Sequence, residues 1–232
     1  MRRATTLGLL VTLAGCHRAA VAATGSQAVR ATQANAVEQP TASDSLARTR
    51  LTDLSGIPGI RFELRYATTN NFTGAVLPGY GAPRPLLRRE AATALARVER
   101  DLESRGLSLK VWDAYRPVRA TLAMVEWCER NHRTDLLDSG YIARRSRHNQ
   151  GVAIDLTVVE RASGRELDMG TPFDNFSAGA HTANATGQQA ANRRILGAAM
   201  ERAGFVNFVG EWWHFSYDVP DPVPFDLPLE AW

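Results

Sequence analysis

Apolar positions recur along this chain with two different periods, and each period marks a different kind of element. Ile60, Phe62, Leu64 and Tyr66 alternate with Arg61, Glu63 and Arg65, a period of two that predicts a half-buried strand. From Arg89 to Arg105 the period lengthens: Ala92, Leu95, Val98 and Leu102 recur at helical spacing, and Gly106 is a natural stop. Leu107, Leu109 and Val111 alternate again as a strand. Pro117 suits the first turn of a helix whose apolar face is Val118, Leu122 and Val125. A strand over Gly151 to Val159 places Ile154, Leu156 and Val158 on one side, and a helix from Gln188 to Ala203 is stopped by Gly204. Phe205 to Val209 and Trp212 to Tyr217 read as a last strand pair. Pro220, Pro222, Pro224 and Pro228 then keep the tail from forming regular structure. Helices that precede and interrupt the strands predict an α+β fold: a single domain with a small, mostly antiparallel sheet flanked by helices. No internal repeat is present.

Upstream of residue 51 the pattern is different. Arg2 and Arg3 precede a short apolar run, Leu7 to Leu13, which falls short of the roughly 20 residues needed to span a bilayer. Residues 1–15 therefore read as an export signal. The run ends in Leu13-Ala14-Gly15-Cys16, which resembles a bacterial lipobox, in which Cys16 is lipidated and becomes the mature N-terminus. The alternative is a plain secretory signal cut after Ala22 or Ala23, which discards Cys16. Either reading places the protein outside the cytoplasm, in the periplasm or on the outer face of the envelope. Membrane contact would come only through the N-terminal lipid anchor. Residues 16–50, rich in Ala, Thr, Ser and Gln, predict a flexible tether spanning on the order of 30 Å. The folded domain is expected over 51–232.

Composition narrows the partners. The formal charge is +3, with 27 Lys and Arg against 24 Asp and Glu. Removing Arg2 and Arg3 with the signal leaves the balance near +1, and no basic stripe with interleaved aromatics exists. Nucleic acid is excluded as the expected partner. Cysteines number two. With Cys16 lipidated or removed, Cys128 stands alone without an intramolecular partner, and its helical context fits a small buried hydrophobe rather than a nucleophile.

The candidate chemistry lies with the five histidines. His17 falls in the signal or tether, His132 in a polar run and His181 in a Gly- and Ala-rich loop. His148 belongs to SRHNQGVAID, which ends at Asp155, and His214 to EWWH, which begins at Glu211. Two imidazoles and one carboxylate make the ligand count of a catalytic zinc site, which leaves one coordination position open. Glu211 is then a reasonable general base. On a regular strand, residues seven or three apart point to opposite faces, so His148 and Asp155 share a site only if Gly151 lets His148 sit on a loop. Glu211 needs a turn after Gly210. Taken singly, Asp155 and His214 read as well as structural residues. An unpaired Asp155 among Val152, Ala153, Ile154, Leu156 and Thr157 would nevertheless cost several kcal/mol, a cost that a divalent cation removes.

SRHNQGVAID together with EWWH resembles the signature of zinc D,D-peptidases acting on peptidoglycan precursors and fragments. YATTNNFTG from Tyr66, VWDAYRP from Val111, DMGTPFD from Asp168 and the WWHF run narrow the resemblance to the D-alanyl-D-alanine dipeptidases, including those linked to vancomycin resistance. It covers residues 51 to 232. The resemblance implies one Zn2+ held by His148, Asp155 and His214, with Glu211 as catalytic base and Arg116 stabilising the oxyanion. It also implies that Ser146, Asp174 and Tyr66 bind a small D,D-dipeptide, Asp174 meeting the free ammonium. Asn149 and Gln150 receive no role. The stretch from Arg116 to His148 is short beside the resistance enzymes, and the export signal favours turnover of wall-derived dipeptide over a cytoplasmic resistance role. The alternative within the same chemistry is a D,D- or L,D-carboxypeptidase trimming longer stem peptides.

Overall fold

The structure, a computed structural model, describes residues 42–232. The export signal, Cys16 and most of the tether lie outside them. The elements in chain order are α1 (Ala42–Arg50), β1 (Leu51–Asp53), β2 (Arg61–Phe62), β3 (Leu86–Arg88), α2 (Arg89–Glu103), β4 (Leu107–Asp113) and α3 (Val118–Arg130). They continue with α4 (Asp135–Asp138), β5 (Ala153–Glu160), α5 (Gly187–Arg202), β6 (Phe205–Asn207) and β7 (His214–Tyr217). Five strands form one sheet in the order β2-β4-β5-β7-β6, and β1 and β3 form a separate antiparallel pair. Among the described strands of this sheet only the β2–β4 pairing is parallel. The architecture is the expected α+β, mostly antiparallel.

β5 lies at the centre of the sheet, and every residue from Ala153 to Val159 is buried. Ile154, Leu156 and Val158, with Leu109 and Val111 opposite them on β4, build one apolar face. α2 and α5 pack on each other and against this sheet. The stripe read from the sequence on α2, with Leu95, Val98 and Leu102, is buried, and on α5 the buried residues include Leu196, Ala199 and Met200. The tail runs without strands, yet Phe225, Leu227 and Leu229 are buried and Phe225 N–H donates to the Asn149 carbonyl at 2.8 Å.

Three expectations need correction. Ala42–Arg50 is helical where a tether was expected; Ala47 is buried and Arg50 pairs with Asp221 at 2.6 Å. The strand expected over Ile60 to Tyr66 is only Arg61–Phe62. Its pairing with β4 ends where Glu63 N–H donates to the Val111 carbonyl, and the chain then turns as a 3-10 segment, Arg65–Ala67, that buries Tyr66. On α3 the buried face is Ala120, Thr121, Met124, Val125 and Cys128, while Leu122 is 52% exposed. The small side chains let the helix pack closely, and Asn149 donates a hydrogen bond to Thr121 Oγ1, so the helix turns that side inward rather than its Leu122 side.

Two local irregularities position the site. The register of β4 against β5 shifts between Val111 and Asp113, so that Asp113 rather than Trp112 lies opposite Asp155. On its other side Asp155 pairs with His214 of β7. Asp113, Asp155 and His214 thus stand abreast on three neighbouring strands. The second irregularity is Gly151, whose φ of +68° favours glycine and where a Cβ would stand 2.4 Å from Leu51 Cδ2.

Candidate active site

His148 sits on a 3-10 turn, Arg147–Gln150, rather than on a strand, which resolves the parity problem of its spacing from Asp155. The turn is fixed at both ends. The Ser146 hydroxyl accepts from His148 N–H, the Asn149 carboxamide oxygen accepts from Ser146 N–H, and Gly151 closes the turn in the left-handed conformation. Asn149 also donates to the Arg116 carbonyl at 2.9 Å. His148 Nδ1 lies 2.6 Å from the Ala114 carbonyl oxygen, a partner that can only accept, so Nδ1 carries the proton and Nε2 presents its lone pair to the site.

Glu211 likewise lies in the turn before β7. Its N–H donates to the Phe208 carbonyl, and its own carbonyl accepts from His214 N–H. This turn lets Glu211 and His214, three residues apart, face one pocket.

His148 Nε2, His214 Nδ1 and the Asp155 carboxylate converge. The two ring nitrogens are 3.2 Å apart, His214 Nδ1 is 2.9 Å from Asp155 Oδ1, and His148 Nε2 is 3.4 Å from Asp155 Oδ2. All three donors lie within 4.8 Å of one another. Donors bound at 2.0–2.1 Å to a tetrahedral metal sit about 3.3 Å apart, so this triangle has the size of a zinc ligand face. The donor set fits too, with two imidazoles and one carboxylate.

The charge around the triangle points the same way. Asp113 and Asp155 are buried, Glu211 is buried at 7% exposure, and Asp174 lines the same pocket; the guanidinium among them belongs to Arg116, itself buried. Arg116 Nε and Nη2 donate to Asp113 Oδ2 at 3.0 and 2.8 Å, and Nη2 lies 3.8 Å from Asp155 Oδ2. Among the described residues its Nη1 has only the Met124 sulfur, at 3.3 Å, as a partner. The guanidinium also stands 5.0 Å over the Tyr66 ring. Burial, reinforced by Asp155 and Asp174, pushes the Glu211 carboxyl well above its usual range. Burial would raise Asp155 as well, but the His148 and His214 imidazoles hold it below the usual carboxylate range. Burial pushes Asp174 up to about 7, against the opposing hydrogen bond from Tyr66 and with the help of the Asp155 charge. Among the buried groups around the triangle, Asp113, Asp155 and Glu211 face the single guanidinium of Arg116, a balance that a bound cation would correct.

Tyr66 OH donates to Asp174 Oδ1 at 3.0 Å, while Asp174 Oδ2 is buried and has no hydrogen-bond partner among the described residues. Tyr66, Arg116, Ser146, His148, Asp155, Asp174, Glu211 and His214 all line one cavity of about 180 Å³. Every domain residue named from the sequence as a candidate ligand, base or binding group is therefore brought to a single pocket, smaller than the few hundred Å³ typical of drug-sized ligands. His132 and His181 are exposed and do not line this cavity.

Sequence reasoning missed Asp113 and Asn149. Asp113 is fully buried, accepts from Tyr80 OH at 2.5 Å and from Arg116, and lies 3.3 Å from His148 Nδ1. The available signal was its place in VWDAYRP: a carboxylate ending an apolar strand, three residues before an arginine.

A peptidase M15 family model, described as D-ala-D-ala dipeptidase, matches residues 47–224. The chain is 35% identical to a D-alanyl-D-alanine dipeptidase of Enterococcus faecium over 75% of this chain and 95% of that one. It is 33% identical to the Streptomyces coelicolor D-alanyl-D-alanine dipeptidase over 75% of this chain and 94% of the relative. With the Escherichia coli D-alanyl-D-alanine dipeptidase it shares 37% identity over 72% and 84% of the two chains.

Proposed function

This chain belongs to the peptidase M15 family of D-ala-D-ala dipeptidases, and from that premise we propose that it hydrolyses the dipeptide D-Ala-D-Ala to free D-alanine, using one zinc ion held by His148, Asp155 and His214. The observation that carries the reading is the convergence of two imidazole nitrogens and a carboxylate on one small pocket.

Bound zinc supplies a Lewis acid that polarises the scissile carbonyl and lowers the pKa of water toward about 7. The chain's own residues do the rest. Glu211 makes no hydrogen bond through its carboxylate among the described residues, and its raised proton affinity suits it to take the proton of the attacking water and give it to the leaving amine. Arg116, oriented by Asp113, has Nη1 available to donate to the carbonyl oxygen as negative charge grows there. The Asp174 carboxylate, which lines the cavity, is a partner for the substrate ammonium, and Tyr66 holds it in place. Ser146 shapes the wall beside His148. We infer a role in turnover of cell-wall peptides outside the cytoplasm, a reading supported by the export-type residues 1–16 and the lipobox-like Cys16. The size of the pocket and its ammonium-binding carboxylate favour a dipeptide over a longer stem peptide.

Zinc analysis paired with D-alanine release tests the proposal. The purified protein should carry about one zinc per chain and release D-alanine from D-Ala-D-Ala, lose activity on chelation and regain it with zinc. Preferential release from a pentapeptide stem would overturn the dipeptide assignment.

A further inference from the structure

We propose that Arg145 binds the free carboxylate end of the substrate and thereby selects peptides that end at the second residue; this rests on the hydrolytic reading above. A dipeptide is a zwitterion whose two charged ends lie no more than about 7 Å apart. A cavity of about 180 Å³ that takes it whole must therefore offer partners of both signs. Asp174, which lines the cavity, supplies the carboxylate for the positive end.

Three arginines line the cavity: Arg116, Arg145 and Arg147. Arg116 is bound to Asp113 through two nitrogens. Arg147 is bound to Asp218 at 2.6 Å and to the Tyr217 carbonyl at 2.9 Å. Arg145 is exposed and makes no hydrogen bond or ion pair among the described residues. It is the pocket-lining guanidinium left with its full donor fork for an incoming carboxylate.

Its backbone is held where the task requires. Arg145 immediately precedes Ser146, whose hydroxyl and N–H are both tied into the His148 turn. On the other side, Ile142 is buried and its N–H donates to the Leu136 carbonyl, and Tyr141 OH lies 3.0 Å from His181 Nε2. The stretch that carries Arg145 is thus anchored at both ends while the side chain stays unengaged.

The test compares the zinc-loaded protein and its Arg145→Ala and Arg145→Lys variants on D-Ala-D-Ala and on D-Ala-D-alaninamide, which lacks the terminal negative charge. Arg145→Ala should raise KM for the dipeptide about tenfold with a much smaller change in kcat, and the preference for acid over amide should fall by a similar factor. Arg145→Lys should keep part of that preference. An unchanged acid-over-amide preference in Arg145→Ala overturns the inference. If the unsubstituted protein releases no D-alanine, the hydrolytic reading fails on its own account. Calorimetric binding of D-Ala-D-Ala then decides: about tenfold weaker binding by Arg145→Ala supports the role, and equal binding removes it.

Discussion

The floor of the pocket and its rim are built by different means. On the floor, Asp113, Asp155 and His214 stand on three adjacent strands, and His148 rests on a turn locked by a capping box. The side chains there are engaged: Asp113 with Tyr80 and Arg116, His148 with Ala114, and Asp155 with His214. Toward the rim, Asp174 has Tyr66 as its side-chain hydrogen-bond partner among the described residues, Arg145 keeps its whole guanidinium, and Phe208 is 40% exposed at a hairpin tip. The difference separates two tasks. Reaction geometry requires side chains that cannot move, and packed strands supply them. Choice of ligand requires polar groups still looking for a partner, and loops supply those.

Glu211 stands between the two regions, and changing it should give the largest effect that leaves the fold intact. Glu211→Gln preserves shape and leaves His148, Asp155 and His214 in place, so zinc content should stay near the wild-type level. Without a proton acceptor, kcat for D-Ala-D-Ala should fall by about 100- to 10,000-fold. Zinc content and turnover measured on the same preparation would separate a lost base from a lost ligand. Activity within tenfold of wild type would move the base elsewhere.

Asp113 tests whether the floor works as one unit. It contacts Arg116 and His148 and stands beside Asp155, so Asp113→Asn should disturb both the oxyanion partner and a metal ligand. Groups in this supporting position change metal affinity or activity by about 10- to 100-fold. A zinc titration against a competing chelator, together with kcat, would show both losses. A loss in kcat alone would mean that Asp113 acts through Arg116 only.

How far each region was legible follows from what builds it. α2 could be read because an apolar stripe and a glycine stop agree over fifteen residues, and α5, sixteen residues long, because Gly204 marks its end. α1 could not, because Ala, Ser and Thr carry no apolar period and the helix is held to the distant tail by the Arg50–Asp221 ion pair and by hydrogen bonds from Arg48 and Arg50 to tail carbonyls. The ligand types were legible and their convergence was not. Spacing alone put His148 and Asp155 on opposite faces, and a capped turn closed by Gly151 brings them together. Asp113 was hidden because its place beside Asp155 depends on a one-residue bulge at Trp112, which no periodicity announces. Asp174 could be named by resemblance, but it is a left-handed residue, φ +59°, in a loop whose sequence has no period to place it beside Tyr66.

The smallest of these effects concerns the rim, and its sign with pH distinguishes binding from stability. Asp174 titrates at about 7 in the fold against an ordinary value of 3.8. Between those values the folded chain holds a proton that the unfolded chain has released. Stability from this carboxyl is therefore highest at low pH and declines as pH rises from about 4 to 7. Asp174→Asn removes the titrating group, so in the chelated protein its Tm should exceed that of wild type at pH 8, with the gap closing toward pH 4. Catalysis should move the opposite way. Only ionised Asp174 attracts the ammonium, so KM of the wild type should rise as pH falls below 7, while Asp174→Asn should carry a KM about tenfold higher at pH 8 and lose most of this dependence. A rim that binds by charge must be less stable in the state that binds. If the variant bound the dipeptide normally at pH 8, the ammonium would have another partner, and the division between an engaged floor and an open rim would have to be redrawn around it.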